Sequence, residues 1–486
     1  MIVIKGKDPN RFLNRIEFLV AICIIFGSAF VSLSIYMDSL RPSYYAILPL
    51  LPLSYGITVI IVSLMNRNML TQWYTLLPIG LYGIRNLITP LIMRFGSYYG
   101  AFKQLTISNV SSGIYLMIYE TFFVLVYLAL STKHWEEDAL NTQYLEVNRS
   151  AVYKLYFTGV LLFCIAVWLF LPNVRNSYIS LFSPEGLRVQ LSNSSSLDVG
   201  TSQRSLGTLF QVVLPITYML FSTSIIVFAN KYFKSKIIKT LFGLLAVMIP
   251  AFFMDGGDGN TFIFMLVLAL TAFFVMGERS SAGFIKLFAI IAVGVVVYIF
   301  IQAMTNTFVY KSISFWENMS SMMQAYFPGV CNMAGVFNLG DYNKLSQLFY
   351  DLYSTIPFRN TLFGLSGFVR TPNLYTIDNN ALSHIMPCVG HAFYYVSIFA
   401  PILPCFLFKS AYKIYIKMRS TSDAYVYMAY MLLFIYLELT PIMYNIVIFG
   451  SHFLGTLLPL LIIAKLSCGA GRSINASEFV DHQIVR

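Results

Sequence analysis

The chain has 486 residues, of which 57% are hydrophobic and only 11% are charged, and its mean hydropathy is +0.70. Soluble domains carry roughly 25% charged residues, so the composition excludes a soluble globular protein and indicates an integral membrane protein. Lysine and arginine clusters between apolar segments account for the net charge of +11, and no nucleic-acid partner is predicted.

Apolar segments of about 20 residues, the length that crosses a bilayer, recur along the whole chain. We predict about twelve membrane-spanning helices, centred near residues 27, 55, 81, 121, 162, 218, 247, 268, 295, 398, 432 and 458. The predicted fold class is an all-α polytopic membrane protein, with residues 1–486 forming a single transmembrane domain.

The positions of the cations predict the orientation, because cationic loops resist translocation. Four lysines and arginines lie between residues 5 and 15, and the clusters at 231–239 and 409–419 fall on the same side when the spans alternate. Both termini are therefore predicted to be cytoplasmic. We expect the first span to be an uncleaved anchor, since no small-residue cleavage site precedes it.

Two long loops, 173–206 and 305–386, fall on the predicted outer face. Long structured insertions on one face usually carry function. In the larger loop, the segment 341–358 has a helical apolar stripe that ends near Pro357, which predicts a helix on the outer membrane surface. The polar strip TPNLYTIDNNALSH (371–384) is rich in turn residues, and its Asn379 and Asn380 could bind a hydroxyl-rich ligand.

Five arginines lie on the predicted outer face, where the positive-inside rule disfavours them. A guanidinium group binds phosphate through two parallel hydrogen bonds, which makes them candidate anion ligands. The alternative is that they reach lipid phosphates or pair with Glu185, Asp351 or Asp378. The five are Arg175, Arg188, Arg204, Arg359 and Arg370.

Histidines at the predicted outer face are candidate proton acceptors. His384 stands at the mouth of the tenth predicted span beside the asparagine-rich strip, and the ordinary pKa of histidine is about 6.5. His391, one or two helical turns deeper, and His452 are the competing candidates. For each of them a structural hydrogen bond is the alternative role.

Three charged residues fall inside predicted spans. Arg85, Glu120 and Glu438 should face the bundle interior or a wet cavity, because a lipid-exposed charge is costly. Arg85 and Glu120 lie at similar depth, so we expect a structural ion pair. An anion site on Arg85 is the functional alternative.

The turn MDGGDGN (254–260) places Asp255 and Asp258 beside glycines. These carboxylates could bind a divalent metal or act as a base, whereas a tight turn between two spans is the simpler interpretation. Among the six cysteines, Cys331 and Cys388 could form a disulfide, although two unpaired thiols are favoured. No nucleotide phosphate loop is present in the sequence.

Three segments carry a family resemblance: GGDGNTFIF (256–264), FYDLYSTIPFRN (349–360) and NNALSHIMPCVGHAFYYVSIFAPIL (379–403). With about a dozen spans and a large late outer loop, the chain resembles bacterial oligosaccharide repeat-unit polymerases of the O-antigen and capsule type, related to O-antigen ligases. The family's turn often has an arginine after the glycines, where this chain has Asp258 and Gly259. That difference shifts the expected anion binding to the arginines of the two long loops.

The resemblance implies a GT-C-like polymerase or ligase bundle with an outward cavity under the large loop. It also implies polymerisation of polyprenyl-diphosphate-linked glycans at the outer face of a bacterial plasma (inner) membrane, with no cofactor or metal. His384 and Arg359 would then be catalytic, and Arg175, Arg188, Arg204, Arg370 and Arg85 would bind diphosphate or glycan. A flippase and a chain-length regulator are the implied protein partners.

Functions of other classes remain open. A flippase for lipid-linked oligosaccharides, or a small-solute transporter, would need cations or broken helices within the bundle, and the glycines and prolines gather mostly near predicted span ends. The nearest enzymatic alternative is a glycosyltransferase that uses polyprenyl-phosphate sugars. It would place its catalytic acid at Asp38, where the first span emerges.

Overall fold

The computed structural model describes residues 9–66, 69–70, 73–99, 105–132, 151–170, 201–253, 259–276, 304, 314–340, 344–357, 369–380, 384–421 and 423–467. Throughout these ranges the regular elements are helices. Seven of the described helices are long and apolar enough to cross a membrane, or eight if a bent pair is counted as one span. The chain is therefore an all-α membrane protein, while twelve spans and cytoplasmic termini stay predictions.

The helices are numbered here in chain order. They are α1 (Pro9–Tyr36), α2 (Leu50–Met65), α3 (Trp73–Gly83), α4 (Thr89–Phe95), α5 (Ile107–Thr132), α6 (Ala151–Phe170), α7 (Thr201–Tyr232), α8 (Lys236–Phe253), α9 (Gly259–Met276), α10 (Phe315–Tyr326), α11 (Val330–Val336), α12 (Leu345–Tyr353), α13 (Thr371–Asn379), α14 (Cys388–Val396), α15 (Ile402–Ser420), α16 (Ala424–Met443), α17 (Ile446–His452) and α18 (Leu458–Ser467). A π-helical turn, Ile84–Ile88, joins α3 to α4, so that Tyr74–Phe95 forms one candidate span. The ninth predicted span, near residue 295, lies outside the described residues.

The chain divides into two compact units. The first comprises Met1–Leu140, Arg279–Tyr415 and Leu433–Leu454, and the second comprises Asn141–Glu278, Ile416–Leu432 and Gly455–Arg486. In the second unit, α7 packs against α8 and α9, and hydroxyl contacts join α6 to α7. The polar clusters and ion pairs described below as candidate functional groups belong to the first unit.

Close helix contacts build the core of the first unit. Helix α11 packs on α5, and its seven residues are all buried. Gly113 makes this approach feasible, because a Cβ atom there would lie 2.9 Å from the backbone nitrogen of Ala334. Part of the predicted outer loop is thus enclosed within the helical core.

The described part of the large loop is mostly helical. Helix α10 begins with a capping box in which Ser314 and Glu317 exchange hydrogen bonds. Helix α12 confirms the helix predicted within 341–358, and it leaves Leu345, Phe349 and Leu352 exposed. The turn-rich prediction for 371–384 is wrong over most of its length, because α13 occupies it.

The sequence of α13 explains that error. Pro372 stands in the first turn, where a missing N–H costs nothing and the fixed φ suits a helix. Asn380 ends the helix in the left-handed conformation, with φ of 51°. Pro372 and Asn380 are therefore helix-start and helix-end signals, although the same residues are also typical of turns.

The tenth predicted span is broken. The segment Cys388–Phe399, which is α14 followed by the short 3-10 turn Ser397–Phe399, meets α15 at an angle of 115°, with Ala400 and Pro401 between them. Ser397 has φ of 52° and ψ of −124°, a region that side-chain-bearing residues rarely occupy. The apolar stretch centred near residue 398 is therefore a sharp bend between two helices.

Candidate functional site

Three polar side chains meet inside the first unit. His391 Nε2 lies 3.3 Å from Asp351 Oδ2, and the Tyr395 hydroxyl contacts both groups. The Asp351 and His391 side chains are fully buried, and Tyr395 is almost so. Buried polar groups of this kind are stable only when they satisfy one another. We call Asp351, His391 and Tyr395 the Asp-His-Tyr cluster.

Local helical geometry assembles the cluster. His391 and Tyr395 are four residues apart on α14, so they lie on one face of that helix. Asp351 lies on the side of α12 opposite its exposed apolar residues, and this turns the carboxylate inward. The cluster therefore joins α12 to the short helix that precedes the bend.

Helix α13 supplies a further donor to Asp351. The backbone N–H of Thr371, at the first residue of α13, donates to Asp351 Oδ1 over 3.0 Å. Burial raises the pKa of Asp351, but hydrogen bonds from His391, Thr371 and Tyr395 outweigh burial and hold the pKa below its usual value. Asp351 is therefore a carboxylate at neutral pH.

The ionised carboxylate fixes the tautomer of His391. A carboxylate can only accept, so His391 Nε2 carries the proton that faces Asp351. The ring then holds its lone pair on Nδ1, which is buried and makes no hydrogen bond within the part of the chain that the structure describes. A buried, oriented imidazole with an available lone pair can act as a general base.

Arg370 lies next to the cluster. Its Nη2 donates to the carbonyl of Ser354 over 3.2 Å, and the Ser354 hydroxyl donates to the Asp351 carbonyl over 2.6 Å. Arg370 is only partly buried and stands at the N-terminus of α13. Arg370, one of the five predicted outer arginines, thus immediately precedes Thr371, whose backbone N–H donates to Asp351.

His384, the first choice for a proton acceptor from sequence, lies just before α14. It is buried, and burial lowers its pKa, so the ring is neutral at pH 7. His452 belongs to an aromatic group, with its ring 5.2 Å from that of Tyr436.

Asn379 and Asn380 have structural roles at the end of α13. The Asn379 amide donates to the carbonyls of Gly335 and Tyr375 and accepts from Asn338. Asn380 is exposed at the end of α13. The amide of Asn379 is therefore fully engaged in holding α13 against α11.

The predicted pair between Arg85 and Glu120 is confirmed. Arg85 Nη1 lies 2.8 Å from Glu120 Oε2, both side chains are buried, and the Tyr82 hydroxyl donates to Glu120 over 3.0 Å. Arg85 Nε also donates to the carbonyl of Pro328 over 3.0 Å, immediately before α11. Arg85 therefore anchors the large loop to the spanning helices, and Glu120 neutralises its charge.

Glu438 is the third intramembrane charge. It lies in α16 and is buried, as predicted for a charged residue within a span. Its Oε2 makes no hydrogen bond to the residues that the structure describes. No hydrogen bond joins this carboxyl group to the Asp-His-Tyr cluster.

Asp38, the candidate acid of the alternative glycosyltransferase, lies just beyond the end of α1. Its Oδ2 accepts from the Tyr98 hydroxyl over 2.8 Å and lies 3.7 Å from Arg94 Nε. Burial raises the pKa of Asp38, but hydrogen bonds from Tyr98 and Leu40, with the charges of Arg94 and Arg41, lower it below its usual value. Asp38 is thus a carboxylate surrounded by donors.

Several candidate residues lie outside the described residues, namely Arg175, Arg188, Arg359, Asp255 and Asp258. Arg204 falls on α7, beyond the start of that helix at Thr201. Within the described ranges no group of three or more His, Cys, Asp or Glu side chains could hold a metal ion. Cys331 and Cys388 are unpaired thiols, and the Cys331 sulfur contacts the Tyr45 hydroxyl at 2.8 Å.

Sequence reasoning did not assign Asp351 and Tyr395 to the site. Asp351 was considered only as a partner for arginine, and Tyr395 was one tyrosine among 33. One signal was available, because the spacing of His391 and Tyr395 places both on one helical face. The meeting of α12 with α14 is a tertiary contact that the sequence pattern does not encode.

No protein-family model, curated protein or solved structure matches the chain.

Proposed function

We propose that this protein polymerises polyprenyl-diphosphate-linked oligosaccharide repeat units at the outer face of a bacterial plasma membrane. The product would be an O-antigen, capsule or exopolysaccharide chain. The observation that carries the proposal is the buried Asp-His-Tyr cluster, which orients an imidazole within the segment that resembles the repeat-unit polymerases. The partly exposed guanidinium group of Arg370 close to that cluster adds support.

The proposed step is a single glycosyl transfer. A hydroxyl oxygen of the acceptor repeat unit attacks the anomeric carbon of the donor glycan, and the bond from that carbon to the diphosphate oxygen breaks. Polyprenyl diphosphate leaves with the electron pair, while the acceptor proton passes to a base. Because the donor already carries its leaving group, no nucleotide is required.

His391 is the base in this proposal, in preference to His384. The Asp351 carboxylate would hold the Nε2–H tautomer and stabilise the imidazolium that forms when Nδ1 accepts the proton. Arg370 and Arg359 are the proposed ligands of the diphosphate, since guanidinium groups stabilise the charge that develops on the leaving group. Tyr395 would position the Asp351 carboxylate.

The experiment uses the purified full chain and a lipid-diphosphate repeat unit from its own host. Incubation without nucleotide or added metal, followed by gel separation of the glycans, should give a ladder of products. Parallel reactions with His391→Gln and His384→Gln identify the base, and only the first should abolish the ladder. If the folded wild-type protein leaves one unchanged band, the polymerase proposal is wrong.

A lipid-linked oligosaccharide flippase is the second candidate. The bend between α14 and α15 favours it, because broken helices are common at transport sites. The sequence pattern weighs against transport, because glycines and prolines gather mostly near the ends of the predicted spans. A flippase would move fluorescent lipid-linked glycan across a proteoliposome membrane without lengthening it, and that result would select this candidate.

A further inference from the structure

A second charged cluster lies at the ends of α1 and α4 and includes none of the residues used in the proposed transfer. Arg94 Nη1 donates to the Ser34 hydroxyl over 2.6 Å, and Arg94 Nε faces Asp38 Oδ2 at 3.7 Å. Arg41 Nη1 donates to the carbonyl of Ile35 over 3.0 Å. Arg94 pairs with Asp38, and the charge of Arg41 also acts on that carboxylate, so two guanidinium groups face one carboxylate and one positive charge is in excess.

The backbone near this cluster is strained. Ser97 and Tyr98 have φ of 53° and 56°, the left-handed region that a bulky residue occupies only when its surroundings require it. The strained turn directs the Tyr98 hydroxyl to Asp38. With Leu40 N–H on the other oxygen, the carboxylate is held in place and in turn holds Arg94.

Both arginines keep donors available. Arg94 is 32% exposed, and neither Arg94 Nη2 nor Arg41 Nη2 hydrogen-bonds to any residue in the described ranges. Each guanidinium also lies beside an exposed aromatic ring, Arg41 at 5.7 Å from Tyr36 and Arg94 at 5.9 Å from Phe95. These hydrogen bonds and ring contacts therefore orient the Nη2 donors of both guanidinium groups.

The surroundings of the cluster are apolar. Tyr36, Met37, Leu40 and Phe95 are each more than half exposed, with Leu40 at 80%. Exposed apolar side chains next to a cation are typical of the interface between lipid chains and headgroups. A ligand that suits this surface has an anionic group for the arginines and an apolar chain for the flanking residues.

We propose that Arg94 and Arg41 bind the phosphate headgroup of an anionic membrane phospholipid at the ends of α1 and α4. The phosphate oxygens accept from the free guanidinium edges, Asp38 fixes Arg94, and the acyl chains lie along Phe95, Met37 and Leu40. The site is a shallow, partly exposed rim, which fits a bilayer lipid. This proposal uses none of the residues assigned to glycan transfer, so it does not rest on the proposed function.

The test is native mass spectrometry of the full chain, purified in an uncharged detergent and titrated with dioleoyl phosphatidate. Arg94→Gln should raise the dissociation constant of the first bound lipid about tenfold, and Arg41→Gln should act similarly. Lys413→Gln removes the same charge from an exposed position on α15 and is the matched control. It should change the dissociation constant less than about twofold.

Three results would overturn the proposal. The first is wild-type affinity in both Arg94→Gln and Arg41→Gln, and the second is an equal loss in Lys413→Gln, which would indicate attraction to overall charge. The third is displacement of phosphatidate by an equimolar amount of inorganic phosphate or polyprenyl phosphate. Displacement by inorganic phosphate would show that the site does not recognise the acyl chains. Displacement by polyprenyl phosphate would show that the site binds the polyprenyl carrier lipid instead.

Discussion

Asp351 and His391 are forty residues apart in sequence, yet their side chains lie 3.3 Å from each other in the buried interior of one unit. The carboxylate is ionised at neutral pH because Thr371 and Tyr395 donate to it along with His391. This contact gives the α14 histidine a defined tautomer. It also ties a helix of the large loop to the helix that precedes the bend.

Asp351→Asn tests the role of the carboxylate in orienting His391. The amide retains the volume and can still accept from Thr371, but it no longer stabilises an imidazolium. We expect kcat for glycan transfer to fall by about a hundredfold with little change in KM, since a general base contributes roughly 10² to 10⁴. Tyr395→Phe is the matched control and should cost less than tenfold.

A purely structural cluster would behave differently. Asp351→Asn and His391→Gln would then lower the melting temperature while the activity of each remaining folded molecule stayed at the wild-type value. Measuring both quantities on the same samples separates the two roles.

The Arg85–Glu120 pair should matter for folding. Removing one partner leaves a buried, uncompensated charge, so Arg85→Met or Glu120→Leu alone should cost about 3–5 kcal/mol. The double variant should recover much of this loss, because two apolar side chains replace the pair. Unfolding of the four proteins in sodium dodecyl sulfate with a compatible detergent measures the coupling free energy. Additive losses would contradict the contact.

Gly113 should be intolerant of substitution. In Gly113→Ala the added Cβ would meet the backbone of α11 at 2.9 Å, and we expect a loss of about 1–3 kcal/mol. Gly27→Ala on α1 is the control, since nothing lies within 4 Å of its added Cβ. Thermal melts in detergent compare the two variants. Equal stability would show that α11 does not pack on α5 at this distance.

His384 should make stability depend on pH. Burial lowers its pKa in the folded state, whereas the unfolded chain has the ordinary value of about 6.5. The unfolded state therefore binds the proton more readily, and stability falls as the pH drops through about 6.5 towards the lower folded value. Wild type should lose more melting temperature between about pH 7.5 and 5.5 than His384→Gln. Equal losses would exclude a buried neutral ring.

The positions of helices could be predicted well, because they depend on the length of apolar segments and on local residue patterns. Helices stand at ten of the twelve predicted span centres, while the centre near 398 falls at the bend and the one near 295 lies outside the described residues. The stripe in 341–358 predicted α12. Pairing of Arg85 with Glu120 followed from the cost of burying a lone charge. These inferences need only the chemistry of one segment or of two segments at the same depth.

Other features depend on tertiary contacts and were not predicted. The bend between Phe399 and Ile402 contains Pro401, but the apolar run continues on both sides of it, so the pattern predicts one span. Pro372 and Asn380 are residue types that occur both in turns and at helix ends. The sequence alone does not show where α13 begins, so it does not distinguish these two roles. Asp351 reaches His391 only because α12 packs beside α14.

The most direct test of the proposed function counts leaving groups. Purified wild-type protein is mixed with a lipid-diphosphate repeat unit, and released polyprenyl diphosphate is quantified beside the new glycosidic bonds. The account predicts one polyprenyl diphosphate for each bond formed, and neither product with folded His391→Gln. Folded wild-type protein that releases no polyprenyl diphosphate, or His391→Gln that releases it at the wild-type rate, would contradict the account.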